Sequence, residues 1–423
     1  MKPRVAVVGA GWAGLAAAVE LAGHADVTVY EAGREPGGRA RCSGRGDDRF
    51  DNGQHILLGA YAECLRLMRT VGADPDRLLL RRPLQWRREG GLSLDCPRLP
   101  APLHLAVGLL AARGLGWRDK WLLARALGRL RRDGYRLAAD RTVDAWLEEQ
   151  GQSRRLRDDF WRPMVLSALN TPPERASMRV LAAALRDSLG ARREASDLLL
   201  PATGLSALFP EPAWRWLEGK GADLRAGCRA RTITSTADRP QVDDEGYDAV
   251  ICAAAPYHAA ELLDDPALRA ALAAYHYWPI ATVYLRFDVS PRLPAPMLGV
   301  SGGGMDWLFD REALAGESGL VAAVLSAPAE LPGAEELVAR ALADARRLAP
   351  HLPAPTHSRV IVEKRATFAS EVGLERPGAR TARRGIYLAG DWAHPDYPAT
   401  LEGAARSGVA AAAAALQDLG IEP

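Results

Sequence analysis

No stretch of this chain approaches the roughly 18 consecutive apolar residues that a membrane-spanning helix needs. The alanine-rich run from Val409 to Leu416 is too short and reads as a packed helix. Cysteine is scarce and scattered: five residues, at 42, 64, 96, 228 and 252, odd in number and without CxxC spacing. That excludes a disulfide framework and a thiolate zinc site, and fits a reducing cytoplasm. Charge of one sign is missing as well, with 54 basic against 52 acidic residues. A net charge of +2 implies no global electrostatic partner, and no nucleic-acid-binding module is present. Repeats and low-complexity linkers are absent. Met1-Lys2-Pro3-Arg4 precedes an apolar run, as in a signal peptide, but the run is short and ends in glycines. It reads as a first strand.

What is present is length and a pattern of glycines. The 423 residues exceed one ordinary domain and suffice for two. Val5 to Val8 suits a buried parallel strand. Gly9-x-Gly11-x-x-Gly14 follows, then a helix from Leu15 to Ala22, then the strand Val27 to Tyr30 ending in Glu31. Gly9 permits the tight turn, Gly11 lets backbone amides approach a pyrophosphate, and Gly14 permits close helix–strand packing. Trp12 and Ala13, between the second and third glycines, are further candidate cofactor contacts, and the positive N-terminus of the helix from Leu15 would face phosphate. Glu31, followed by Ala32, stands where an acid accepts hydrogen bonds from a ribose diol. This fingerprint alone leaves NAD and FAD open.

Farther along come Gly37-Gly38-Arg39 and, near the end, Gly385 to Asp391. Between them the chain alternates in character. Helical patterns run over 141–150, 154–168 and 178–189. Strands are expected over 222–226, 230–234 and 248–254. Residues 281–287, 305–310 and 320–326 read as antiparallel strands, with helix 335–348 covering them and another strand over 359–364. A strand over 386–388 and a helix over 401–416 close the chain. The expected fold is α/β: a Rossmann-like cofactor-binding domain from 1–78, 197–265 and 359–423, with an inserted α+β substrate domain from 79–196 and 266–358.

The set Gly9-x-Gly11-x-x-Gly14, Glu31, Gly37-Gly38-Arg39, Gly390-Asp391 and Glu402-Gly403-Ala404 resembles the flavin amine oxidase and carotenoid desaturase superfamily over nearly the whole chain. Three segments resemble more narrowly the squalene-associated FAD-dependent desaturases, the hydroxysqualene dehydroxylases. They are Phe50 to Tyr61, Leu198 to Pro201 with Leu205 to Pro210, and Tyr397 to Ala404. The resemblance implies FAD as cofactor and an apolar C30 isoprenoid substrate. It implies reductive loss of an allylic hydroxyl from hydroxysqualene to give squalene for hopanoid synthesis. Upstream squalene-pathway synthases are then possible partners.

It also implies roles. Arg39 sits by ribose and pyrophosphate, with Gly38 before it. Ala230 contacts adenine through its backbone, where a bulkier valine is common. Asp391, after Gly390, reaches the ribitol and phosphate region. Thr400 caps the last helix, so that the amides of Leu401 and Glu402 point at the flavin; the Glu402 side chain itself reads as structural. Gly53, Gln54 and His55 return to the flavin ring. His55 is the first candidate for general acid, because imidazole titrates near neutrality; Tyr61, expected on a helix, and Asp396 are lesser candidates.

Only one dinucleotide fingerprint is present, since Gly302-Gly303-Gly304 lacks a strand–helix frame; the electron donor is unidentified. A carotenoid-type desaturase or saturase is the main alternative. An amine oxidase is disfavoured, because Glu363 to Phe368 lacks an aromatic pair to cage an amine. A flavin-retaining scaffold without chemistry is disfavoured by the intact motif set. From His104 to Arg136, basic residues (113, 118, 120, 125, 129, 131, 132 and 136) interleave with leucines and Trp117 and Trp121. Such helices suit an anionic membrane surface, so the expected location is cytoplasmic and peripheral, on the inner face of the membrane.

Overall fold

In the computed structural model, which describes residues 1–235 and 239–422, the glycine fingerprint lies at the centre of a five-stranded parallel sheet. Its strand order is Asp223–Ala226, Asp26–Glu31, Arg4–Val8, Ala249–Cys252 and Ile386–Leu388. Three separate stretches of chain therefore build one sheet. Val5 to Val8 are buried on both faces, which is why this strand lacks alternation. Helix Trp12–Leu21 covers one face and is itself buried almost all round, beneath the C-terminal helix Leu401–Asp418. The alanines of that last helix have a steric cause. A Cβ on Gly408 would lie 2.1 Å from the carbonyl oxygen of Ala13, so the two helices meet nearly backbone to backbone.

The opposite face carries a three-stranded meander, Ile233–Ser235, Pro240–Val242 and Glu245–Gly246. It packs with Tyr247, Phe368 and Trp392. The strand expected from residue 230 begins only at Ile233, because Arg231 and Thr232 turn their amides onto the Asp243 carboxylate instead of a ladder.

A second sheet is antiparallel, in the order Met297–Gly299, Trp307–Asp310, Leu320–Ser326, Tyr277–Arg286, His357–Phe368. Helix Ala334–Leu348 buries one of its faces through Leu337, Ala341 and Ala345. The other face, with Tyr284, Trp307, Phe309 and Val324, meets Phe50 and Ile56. The last strand corrects one boundary. It is twelve residues long, His357–Phe368, and pairs with Tyr277–Arg286 in this second sheet, although residues from 359 were expected with the cofactor-binding part.

Helices between Leu103 and Leu189 form a third body around Leu123, Trp146, Trp161 and Leu181. A small sheet, Leu57–Leu58, Leu198–Pro201 and Leu79–Arg82, fixes the segment that follows residue 50.

Candidate active site

A cavity of about 730 Å³ runs from the fingerprint turn to the antiparallel sheet. Its nucleotide end is built from Gly9, Gly11, Trp12, Ala13, Glu31, Ala32, Gly38, Arg39 and Ala230. Gly11 and Gly38 face each other so closely that a Cβ on Gly38 would come within 3.2 Å of the Gly11 Cα. Bare backbone is thus what borders the cavity at the helix N-terminus, where an anion is favoured. Gly14 lies off the cavity. Its Cβ would fall 1.8 Å from the carbonyl oxygen of Gly9, so its part is to seat the helix against the turn. The Glu31 carboxylate accepts the amides of Ala10 at 2.8 Å and Gly33 at 2.6 Å, which holds both sides of the strand end around it.

Arg39 and Asp391 both line the cavity and pair with each other at 2.7 Å, across 352 residues of sequence. Arg39 also donates to the Ala366 carbonyl at 2.8 Å. Asp391 holds the guanidinium firmly protonated against the cost of burial. Gly390, just before it, has φ of +150°, and its amide is held by the Ser407 hydroxyl of the last helix. Thr400 caps that helix, accepting from the Gly403 amide at 3.0 Å, and Leu401 reaches the cavity.

Against Arg39 the chain turns through Asp51 to His55, with Asn52 Nδ2 donating to the Arg39 carbonyl at 3.0 Å. A buried polar frame fixes this turn. Arg311, which opens the short helix Arg311–Ala315 after strand Trp307–Asp310, pairs with Glu317 at 2.6 Å and faces Asp51 at 3.7 Å. It donates to Gln54 Oε1 at 3.3 Å, while Gln54 Nε2 donates to the Tyr284 hydroxyl at 2.8 Å. Tyr284 closes the ring by donating to the Asp51 carbonyl at 2.8 Å. Burial pushes the Asp51 carboxyl up and the Tyr284 phenol well up. Gln54 lines the cavity, yet both ends of its amide hold this frame, so it positions the segment.

His55 and Tyr61 line the cavity. The expectation that His55 titrates near neutrality does not hold. Burial, helped by the positive Arg39, pushes its imidazole down to about 4. The ring is therefore neutral at pH 7, and its Nδ1 has no hydrogen-bond partner among the described residues. Tyr61 precedes helix Ala62–Thr70 instead of lying on it, and burial pushes its phenol well above the usual range. Both are neutral hydrogen-bonding groups.

Asp396 and Glu402 do not line the cavity, and the Glu402 side chain is the structural group that was expected. Asp396 is exposed and off the cavity. Arg376 donates to the carbonyls of Pro395 and Tyr397 on either side of it, which turns the Asp396 side chain to solvent. The Glu402 side chain is fully buried and points the other way, onto the amides of Glu63 at 3.2 Å and Cys64 at 3.0 Å. The sheet adds residues that the sequence reading missed: Thr282, Trp307, Phe309 and Val324, with Leu166 and Asn170 from the helical body. Alternation marks the strand residues as one-faced, but not which face meets the cavity.

The nucleotide end fits an ADP-containing cofactor: a glycine-walled helix N-terminus, an acid at the second strand end, and an arginine on the cavity wall beside them. Comparison with known proteins decides which one. The family model for flavin-containing amine oxidoreductases matches residues 12–416. The chain belongs to that family. It is an FAD-dependent oxidoreductase, and the residues around the fingerprint are those that would hold FAD. Among its relatives, a hydroxysqualene dehydroxylase from Rhodopseudomonas palustris is 32% identical, with 97% of this chain and 98% of the relative covered. Another, from Sinorhizobium fredii, is 31% identical over 99% of both chains. The resemblance to hydroxysqualene dehydroxylases thus extends over the full length. Among solved structures, a putative protoporphyrinogen oxidase from Exiguobacterium shares the fold at a TM-score of 0.71 and 19% identity, over 99% of both chains. Among the described residues no cluster of His, Cys, Asp or Glu could hold a metal ion.

Proposed function

We propose that the protein reduces the allylic carbon–oxygen bond of hydroxysqualene, giving squalene and water, as a step that supplies hopanoid synthesis. The observation that carries this reading is the apolar wall of the cavity. Leu166, Ile280, Met297, Trp307, Phe309 and Val324 present hydrocarbon and aromatic surface there. The charged Glu363 also lines the cavity, within reach of Asn52 Nδ2 at 3.5 Å, and the positive Arg39 nearby offsets its charge. Such a wall suits a long isoprenoid and offers no counter-charge to an amine.

In this reading the C–O bond breaks with both electrons passing to oxygen, which takes a proton and leaves as water. The allylic carbon takes a hydride. Reduced FAD, when bound, supplies that hydride, and an external two-electron donor restores the reduced state. The chain's own groups do the rest. His55, neutral at pH 7, keeps one N–H, and Tyr61 keeps its O–H. These two donors orient the leaving oxygen and relay a solvent proton to it, a role that needs no imidazolium at rest. The apolar wall excludes water that would trap an allylic cation. The buried frame of Arg311, Gln54 and Tyr284 keeps the His55 segment from yielding as substrate enters.

Anaerobic, photoreduced holoenzyme mixed with hydroxysqualene should recover its oxidised flavin absorbance and release squalene, detected by mass spectrometry. Phytoene offered anaerobically to the oxidised holoenzyme should leave the oxidised flavin absorbance unchanged. Absence of squalene, or turnover of phytoene instead, would overturn the reading.

A further inference from the structure

Six of the ten large apolar side chains that stand exposed on the described residues fall between Leu99 and Trp121. They are not scattered. Helix Leu103–Ala111 has no Asp, Glu, Lys or Arg. Its inward side is fixed by His104, which meets the Ser196 hydroxyl at 3.2 Å, and by Gly108, where a Cβ would strike Cys96 Sγ at 2.7 Å. Leu103, Val107 and Leu110, one helical face by spacing, are left in solvent. Helix Trp117–Arg132 buries Leu122, Leu123, Ala126 and Leu130 and exposes Trp117 by 73% and Trp121 by 59%. A patch of this kind on a soluble surface marks an interaction site.

Its charge says with what. Lys120 lies 5.0 Å over the Trp117 ring and Arg125 lies 4.9 Å over Trp121, with Arg113 and Arg118 exposed nearby. The one acid among them, Asp119, accepts from the Ser153 hydroxyl at 2.7 Å and so turns away from the patch. Tryptophan beside cations is the composition of a headgroup-layer contact. A second copy of this chain would bring the same cations face to face.

Beneath the patch the apolar contact continues inward. Leu105 and Leu109 pack on Leu92 and Leu94 together with Trp86 and Phe160. The Trp86 ring meets Phe160 edge-on at 5.7 Å and Trp307 at 5.1 Å, and Trp307 lines the cavity. We propose that helix Leu103–Ala111 and the first turns of helix Trp117–Arg132 seat in the headgroup layer of an anionic bilayer. The apolar substrate then passes from lipid past Trp86 into the cavity. The docking stands on the surface alone; the passage rests on the substrate proposed above.

FAD-loaded protein is floated with vesicles of phosphatidylcholine and phosphatidylglycerol, and with phosphatidylcholine alone. The native chain should float with the anionic vesicles and stay behind with the neutral ones. Trp117→Ser with Trp121→Ser, and separately Leu103→Ser with Leu110→Ser, should each weaken vesicle partitioning at least tenfold. Flavin content, melting temperature and turnover of detergent-dispersed substrate should be unchanged, because these side chains touch neither core nor cavity. Native protein that fails to float, that floats equally with neutral vesicles, or whose variants float as it does, overturns the docking. So does a native dimer that the substitutions convert to a monomer. If the substitutions abolish flotation but no variant, native included, makes squalene, the docking holds and the substrate reading fails.

Discussion

Replacing Glu402 tests whether a buried carboxylate beside the cofactor end of the molecule is structural. Its side chain has no solvent contact. One oxygen accepts from the Glu63 amide and from Arg406 Nε at 2.8 Å, and the other accepts from the Cys64 amide. Those two amides belong to the first turn of helix Ala62–Thr70, where a negative charge is also favoured by the helix dipole. Glu402→Ala would leave the buried Cys64 amide and the part-buried Glu63 amide without this acceptor, and Arg406 with Asp187 at 2.9 Å and the Tyr397 ring. Removing one partner of a buried ion pair costs about 3–5 kcal/mol. At about 2.1 cal/mol/K per residue, unfolding 423 residues as one unit carries an entropy near 0.9 kcal/mol/K. A loss of about 4 kcal/mol then lowers Tm by about 4–5 °C. Glu402→Gln retains one acceptor but sets an amide NH₂ against donors, and should fall between. Because the side chain faces away from the cavity, FAD affinity measured well below Tm should change by less than about threefold. The assay is thermal unfolding at saturating FAD, paired with fluorescence titration of the flavin. A drop below 1 °C for the alanine variant, or loss of FAD from folded protein, would refute the assignment.

Gly14→Ala should displace helix Trp12–Leu21 from the turn, since its Cβ would meet the Gly9 carbonyl oxygen at 1.8 Å, and so weaken FAD binding more than tenfold. Gly23→Ala, with nothing within 4 Å, is the matched control; equal FAD retention in both would contradict the role given to Gly14. His55 should make stability fall with acid. Its imidazole takes a proton near 6.5 when unfolded and only near 4 when folded, so stability rises with pH across that window. The whole window is worth about 3 kcal/mol. In flavin-free protein unfolded by urea at several pH values between 4.5 and 7, His55→Gln should flatten this slope; an unchanged slope would place His55 outside the buried environment described.

The parts of the fold that were legible in the sequence are those fixed by local geometry. Turn, helix and acid from Gly9 to Glu31 occupy consecutive residues, and each residue type has a steric or hydrogen-bonding reason to be there. The Thr400 cap is legible for the same reason: its hydroxyl reaches an amide only three residues on. Pairings across the chain are different. Nothing within Arg359 to Lys364 shows that this strand joins Tyr277–Arg286 instead of the parallel sheet, because the short apolar run Val360-Ile361-Val362 would suit either. The charge state of His55 escaped for a related reason. It depends on burial and on Arg39, which the separate Gly37–Gly38 turn delivers to the same place.

Asp396 shows most plainly why closeness in sequence to a motif is weak evidence for a catalytic role. It lies five residues beyond Asp391, which lines the cavity. Between them Trp392 is driven into the core, with its indole N–H on the Ala254 carbonyl at 3.1 Å, and Arg376 clamps the loop from outside. Two anchors of opposite direction so close together reverse the chain, and Asp396 emerges on the solvent side. The discriminating residues in the cavity arise in the converse way. Trp307 and Val324 stand opposite each other on paired strands, so one register places both side chains on the same face, while a shift of one residue would turn one of them away. The nucleotide end is therefore set by a contiguous glycine motif, to which Arg39 and Asp391 add from far apart in sequence. The substrate is set by strand register, where single side chains can change and the fold persists. Substitutions at Leu166, Met297, Trp307 or Phe309 should shift the choice between C30 alcohols and longer polyenes while leaving FAD bound.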